Sequence, residues 1–189
     1  YIALAAEHAG LSQGTINIIC GWGHEAGDAL TSNPDVNQIV FTGSVETGIQ
    51  VASNAAKNVV PCVLELGGKS GAIVLPDADQ AKLIDSVRWG IFFGAGQVCS
   101  AMSRLIVHES IHDDVLAQVV ELAKKIKTGP GQDYPTFGDN MGAMISERQR
   151  DRAEGLCQNA VNEGAKIQTG GHKLNNQGFF LEPTIISDV

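Results

Sequence analysis

The chain has 189 residues, 43% of them hydrophobic, and carries 13 Lys and Arg against 21 Asp and Glu, for a net charge of -8. That is enough for one sizeable core or parts of two domains. The acidic balance argues against a nucleic-acid surface or an anionic membrane as partner, since both repel an acidic protein.

No apolar run reaches the roughly 20 residues of a membrane-spanning helix, and no charged-then-apolar leader is read at the start. Tyr1 opens within a helical pattern and Val189 ends without a stop signal, so a fragment is expected. The four cysteines, Cys20, Cys62, Cys99 and Cys157, form no C-x-x-C pair, so neither a metal site nor a redox dithiol is indicated. Reduced thiols in a cytoplasmic compartment fit best.

Tyr1 to Ala9 reads as the last turns of a helix closed by Gly10, and Thr15 to Cys20 as a short strand. Gly21-Trp22-Gly23-His24-Glu25-Ala26 fits G-x-G-x-x-A before a helix Glu25 to Leu30. The match is weak, because no acidic residue follows at a convincing ribose position. A stronger nucleotide signal is the strand Gln38 to Ser44, whose end turns into a helix Val45 to Lys57. Gly43 allows close backbone approach, Ser44 can donate a hydroxyl, and the positive helix end favours an anionic diphosphate. A plain N-cap fits Ser44 equally well.

Pro61 to Leu66 is the next strand, and it carries one carboxylate, Glu65, in an apolar run that ends in Gly67-Gly68-Lys69-Ser70. Burial disfavours the charged form of a carboxylate, and a group poised between its two forms suits a general base. An edge-strand Glu in solvent is the alternative. The glycine pair marks a boundary, with domains expected over residues 1–67 and 68–189. Strand and helix alternate before it, the rhythm of a parallel sheet with covering helices.

Ala72 to Leu75 is a strand. Asp77-Ala78-Asp79 then caps a helix in which Leu83, Ile84, Val87 and Ile91 recur at helical spacing. Beyond it lies Phe92-Phe93-Gly94-Ala95-Gly96-Gln97-Val98-Cys99-Ser100-Ala101-Met102-Ser103, followed by a buried strand Arg104 to His108. A cysteine held between two rigid elements, among small residues that leave room for a substrate, is well placed to attack a carbonyl. A buried structural cysteine is the alternative.

His108 and His112 read as surface residues, lacking the Glu of H-E-x-x-H. Ser110 to Lys127 is helical, with Ile111, Val115, Val119, Leu122 and Ile126 on one face. Thr128-Gly129-Pro130-Gly131 stops it, and a loop runs to Asn140. Ser146 to Glu163 is a helix with Ala153, Leu156 and Ala160 inward and Arg outward, closed by Gly164. Ala165 to Thr169 is a strand, Gly170-Gly171 a turn, and Phe179 to Ile186 a final extended piece.

Glu65-Leu66-Gly67-Gly68-Lys69-Ser70, then Gly96-Gln97-Val98-Cys99, with Phe41-Thr42-Gly43-Ser44 and Gly48 upstream, resemble the NAD(P)-dependent aldehyde dehydrogenase superfamily. The resemblance covers all of this chain and part of the family's. It implies an α/β fold: part of a Rossmann-type cofactor domain followed by part of an α/β catalytic domain. It implies that Cys99 attacks an aldehyde, that Glu65 activates water to release a carboxylic acid, and that NAD or NADP binds at Gly43, Ser44, Gly48, Glu65, Leu66 and Gly67. The implied partners are a small aldehyde and further copies of the full-length chain, as a dimer or tetramer.

In the family an Asn donor to the oxyanion, a Lys at the adenosine ribose and the coenzyme-selecting residue fall before Tyr1. A Glu at the nicotinamide ribose falls after Val189. The 189 residues alone are therefore expected to be inactive. The family usually has Asn-Gln or similar at Gly94-Ala95 and Gly at Met102, so a differently packed loop is expected. Val98-Cys99-Ser100-Ala101 is similar to betaine-aldehyde and amino-aldehyde members. Two alternatives stay open: a non-catalytic nucleotide-binding remnant, and a coenzyme A-acylating enzyme, against which Glu65 stands.

Overall fold

A computed structural model describes residues 1–133, 140–174 and 177–189. Most of the predicted loop before Asn140, residues 134–139, lies outside the described residues. The chain divides into two units, Tyr1–Gly67 and Gly68–Val189.

In the first unit, α1 (Ile2–His8) ends at Ala9, and Gly10 takes the left-handed conformation that closes it. Thr15 to Cys20 does not form the predicted strand. Ile16, Ile18 and Ile19 are exposed, and the run has no ladder partner among the described residues. Apolar alternation marks a strand only where a second backbone takes its N–H and C=O groups. The next helix begins earlier than expected, as a π-helical turn Gly23–Gly27 that passes into α2 (Asp28–Thr31).

β1 (Ile39–Gly43), α3 (Val45–Ala56) and β2 (Cys62–Leu66) form a β-α-β unit. The strands run parallel, with Ile39 opposite Cys62 and Thr42 opposite Glu65. Helix α3 covers one face through Val51 and Ala55, which pack with Ile39, Phe41, Cys62 and Leu64. Val40 and Val63 point to the other face and are exposed. Side-chain amides tie α3 to α2: Gln50 donates to both Asp28 oxygens at 3.2 Å, and Asn54 to Thr31 Oγ1 at 3.2 Å.

The second unit repeats the pattern with β3 (Gly71–Val74), α4 (Gln80–Val87) and β4 (Arg104–Val107), again parallel, Gly71 opposite Arg104. Asp79 caps α4 by accepting the N–H groups of Ala81 and Lys82 at 3.1 and 3.2 Å. The helix continues as a π-helical turn Arg88–Phe92. The strand at Arg104 is not buried as expected: burial alternates and Ile106 is exposed, because one face meets the core and the other does not.

A 3-10 turn Glu109–Ile111 leads into α5 (His112–Lys125). Its Val115, Val119, Leu122 and Ala123 join Val87, Phe92, Ile126 and Met141 in the main core. Val115, 1% exposed, contributes on the order of 1.5–3 kcal/mol by burial alone. The chain then makes an unforeseen short parallel pair, β5 (Lys127–Thr128) with β6 (Asn140–Met141).

In α6 (Glu147–Asn162) the buried residues are Arg150 and Cys157, while Leu156 is exposed. Of the residues expected inward, Ala153 and Ala160 are half-buried and Leu156 alone is exposed, while Arg150, expected outward, is buried. Its guanidinium donates to Asp151 at 2.7 Å and Glu147 at 3.1 Å and sits 5.9 Å from the Phe179 ring. Gly164 at φ 107° ends the helix, and β7 (Lys166–Thr169) pairs antiparallel with β8 (Ile185–Ser187). Among the described residues no helix is long and apolar enough to cross a membrane.

Candidate active site

Two junctions hold the residues singled out from the sequence. In the first unit β1 ends at Gly43 and α3 starts at once. Ser44 is extended at φ -73° and ψ 156°, and its Oγ accepts the Thr47 N–H at 3.2 Å. The hydroxyl also lies 3.1 Å from Thr47 Oγ1. Thr42, Gly43, Ser44 and the first turn of α3 are exposed, so the amino end of a three-turn helix faces outward.

Gly48 is buried, and a Cβ there would lie 2.7 Å from Leu66 Cδ2. The glycine therefore lets α3 close onto the end of β2. Leu66 is half-buried in that contact, and Gly67 beyond it is exposed, with open space where a side chain would stand. Glu65 is exposed as well, beside Thr42 at the carboxyl end of the pair. The desolvation anticipated for Glu65 is not supplied by this unit, because period-2 alternation turns it away from α3.

In the second unit Cys99 sits in the connection from α4 to β4 and is exposed. The turn before it is unusual: Gly94, Ala95 and Gly96 have φ of 59°, 56° and 69°. For Ala95 this conformation costs about 1–2 kcal/mol, and its methyl packs against the main core. A Cβ at Gly96 would be crowded, 3.2 Å from the Ile91 carbonyl oxygen. The Met102 N–H donates to Gly90 O at 2.8 Å. The Arg104 N–H and Nε donate to Ser70 O at 3.2 Å and Lys69 O at 2.9 Å, which ties β4 to the Gly68–Gly71 segment. Gly68 passes beside the Cys99 carbonyl, with 3.5 Å to the place of its Cβ.

The thiols differ sharply in setting. Cys157 is buried, and burial pushes its thiol above the usual range, whereas Cys20 and Cys99 are exposed. Sequence reasoning gave no part in shaping the Cys99 loop to three residues that do so: Arg104, Gly90 and Gln97. For Gly90 the signal was present, since a glycine within an otherwise apolar helical pattern marks close approach. Here Met102 fills the space a side chain at 90 would take.

The first junction places exposed polar groups at the carboxyl ends of a parallel strand pair, where α/β enzymes bind their ligands, whereas Cys99 precedes the amino end of β4. The model of the aldehyde dehydrogenase family matches residues 1–189. The chain belongs to that family. It is 42% identical over 188 residues to a probable betaine aldehyde dehydrogenase of Schizosaccharomyces pombe, covering 99% of this chain and 37% of that one. It is 44% identical over 185 residues to the peroxisomal aminoaldehyde dehydrogenase 1 of Pisum sativum, covering 97% and 36%.

Betaine aldehyde dehydrogenase of Staphylococcus aureus, solved with NAD+, superposes with a TM-score of 0.92 at 40% identity, over 100% of this chain and 37% of that one. The NAD+ complex of aldehyde dehydrogenase from Bacillus cereus gives 0.92 at 35% identity, over 100% and 38%. The chain thus spans little more than a third of the length of the relatives it matches.

Proposed function

We propose that the protein carrying this chain oxidises a small aldehyde to a carboxylic acid, with NAD or NADP as cofactor, Cys99 as nucleophile and Glu65 as general base. The observation that carries this is an exposed Cys99 on a tight turn of a chain whose whole length matches aldehyde dehydrogenases. Residues 1–67 are assigned to the carboxyl-terminal part of the NAD(P)-binding domain. Residues 68–189 are assigned to the amino-terminal part of the cysteine-bearing catalytic domain.

The first junction fits a dinucleotide: it offers an exposed helix start at Ser44, a strand end at Gly43, and the segment Glu65, Leu66 and Gly67 alongside, with Gly48 closing the helix onto it. When bound, the cofactor supplies the hydride acceptor. The Cys99 thiolate adds to the aldehyde carbon to give a thiohemiacetal, whose oxyanion accepts the Cys99 backbone N–H. Glu65 takes the thiol proton in the resting enzyme and passes it to solvent, returning to the carboxylate. After oxidation it takes a proton from water, which adds to the Cys99 thioester and expels the thiolate with the acid as product. Betaine or amino aldehydes are the favoured substrates, since relatives at 42–44% identity carry those names.

The test is aldehyde-dependent formation of reduced nicotinamide by the intact protein. Cys99→Ala lowers turnover by at least about a thousandfold. Where the Cys99 thiol is already ionised, Glu65→Gln keeps a first-turnover burst while steady-state turnover falls about a hundredfold. An active Cys99→Ala variant removes the nucleophile assignment, and unchanged steady-state turnover in Glu65→Gln removes the base.

A further inference from the structure

One carboxamide spans the distance between the Cys99 turn and the segment that starts α6. Gln97 Nε2 donates to Gly94 O at 3.0 Å and to Ala143 O at 3.3 Å, while Gln97 Oε1 accepts the Ile145 N–H at 2.8 Å. The Gln97 backbone N–H also donates to Gly94 O, at 3.1 Å. The far partners are themselves anchored. The Met144 N–H donates to Phe179 O at 2.8 Å, and Ser146 caps α6 by accepting the Gln149 N–H at 3.3 Å.

We propose that Gln97 is a positioning residue for Cys99, fixing where the thiol and its backbone N–H stand in the oxidation; this rests on Cys99 being the nucleophile. The chemistry requires a carboxamide, because one side chain must donate to two carbonyl oxygens and accept one N–H from the same planar group. An ionised Glu would set its charge against both carbonyl oxygens, and an apolar side chain of the same length would leave Ala143 O and the Ile145 N–H without this partner, Gly94 O keeping only the Gln97 backbone N–H. The strain at Ala95 gives the tie its purpose: a left-handed residue other than glycine holds only where surrounding contacts fix it. Gln97 grips the chain two residues before Cys99, and the Met102 N–H to Gly90 O bond grips it three residues after. A displacement of about 1 Å at a nucleophile costs on the order of a hundredfold in rate.

The experiment uses the intact protein and its Gln97→Met and Gln97→Glu variants. In Gln97→Met the first-turnover rate is expected to fall about ten- to a hundredfold, with KM for NAD within about twofold of wild type. The rate of Cys99 alkylation is expected to change by at least about fivefold. In Gln97→Glu the neutral carboxyl restores a donor beside an acceptor, so the ratio of variant to wild-type rate should rise as pH falls. Loss of folded protein does not give that slope. The inference is overturned if Cys99 proves essential while Gln97→Met leaves first turnover and alkylation within about twofold, or if activity falls only in step with the folded fraction. Turnover that survives Cys99→Ala instead removes the nucleophile assignment, whatever the Gln97 variants do.

Discussion

The β1–α3 junction and the α4–β4 junction present polar groups by opposite means. At the first, every backbone angle is ordinary: an extended Ser44 caps a regular helix through its Oγ, and the exposed amino end follows from helix geometry alone. At the second, three consecutive left-handed residues, one of them Ala95, lead to Cys99. A binding surface for an anion is available wherever a strand feeds a helix, so it needs no strain. A nucleophile, the role proposed for Cys99, must stand at one point, and the chain reaches Cys99 through a turn in which Ala95 is left-handed.

The contrast is most exposed to a competition among thiols. With limiting iodoacetamide on the intact protein, Cys99 should label at least about a hundredfold faster than Cys157, which is buried with its thiol pushed up. Cys20 is the demanding competitor because it too is exposed. Peptide mapping that finds Cys20 modified first would remove any special status for the α4–β4 turn.

Backbone substitutions come next in size. Gly96→Ala meets both a positive φ and the Ile91 carbonyl, and should destabilise by about 1–3 kcal/mol. Ala95→Gly relieves strain but adds chain entropy and gives up a packed methyl, so it should change stability by less than about 1 kcal/mol. Thermal unfolding that ranks these two the other way would show that the turn is not strained as described.

At the unstrained junction, Ser44→Ala should cost about 1 kcal/mol and Ser44→Gly only a few tenths. Equal losses in thermal unfolding would mean that the Ser44 hydroxyl is not acting as a cap.

The smallest effect concerns α4, the helix that delivers the chain to Cys99. The Lys82 backbone N–H, its ammonium and the Ala81 N–H hold the Asp79 carboxyl below its ordinary value of 3.8. A depressed carboxylate contributes stability above its unfolded value, and that contribution is lost as pH falls through the folded one. Stability should therefore decline below about pH 4, and Asp79→Asn, which keeps a capping oxygen, should flatten that decline slightly. An acid limb identical in the two proteins would remove the cap's electrostatic share.

Much of the fold was legible because it is local. Asp79 before Leu83, Ile84 and Val87 announced a capped amphipathic helix, and Val115, Val119 and Leu122 a buried stripe. The failures come from partners distant in sequence. Thr15 to Cys20 alternates like a strand but finds no ladder among the described residues. Arg150 reads as a surface residue because the Phe179 ring that its guanidinium faces comes from far along the chain. At the candidate site Cys99 and Glu65 stood out by chemical type, whereas Gln97 did not, because its three bonds depend on Gly94, Ala143 and Ile145 arriving together.

The contact between Gly90 and Met102 bears on the order in which this loop can change by descent. A Cβ added at 90 would collide with the Met102 methyl, which can swing aside, but also lie 3.1 Å from Met102 Cγ and 3.2 Å from Sδ, which move less freely. Positions 90 and 102 therefore share one volume. A lineage in which residue 102 has already shrunk to Gly is free to gain a methyl at 90, whereas one that keeps Met at 102 must move that side chain to do so. Drift at these two sites is coupled, and a sequence with bulk at both is one this packing disfavours.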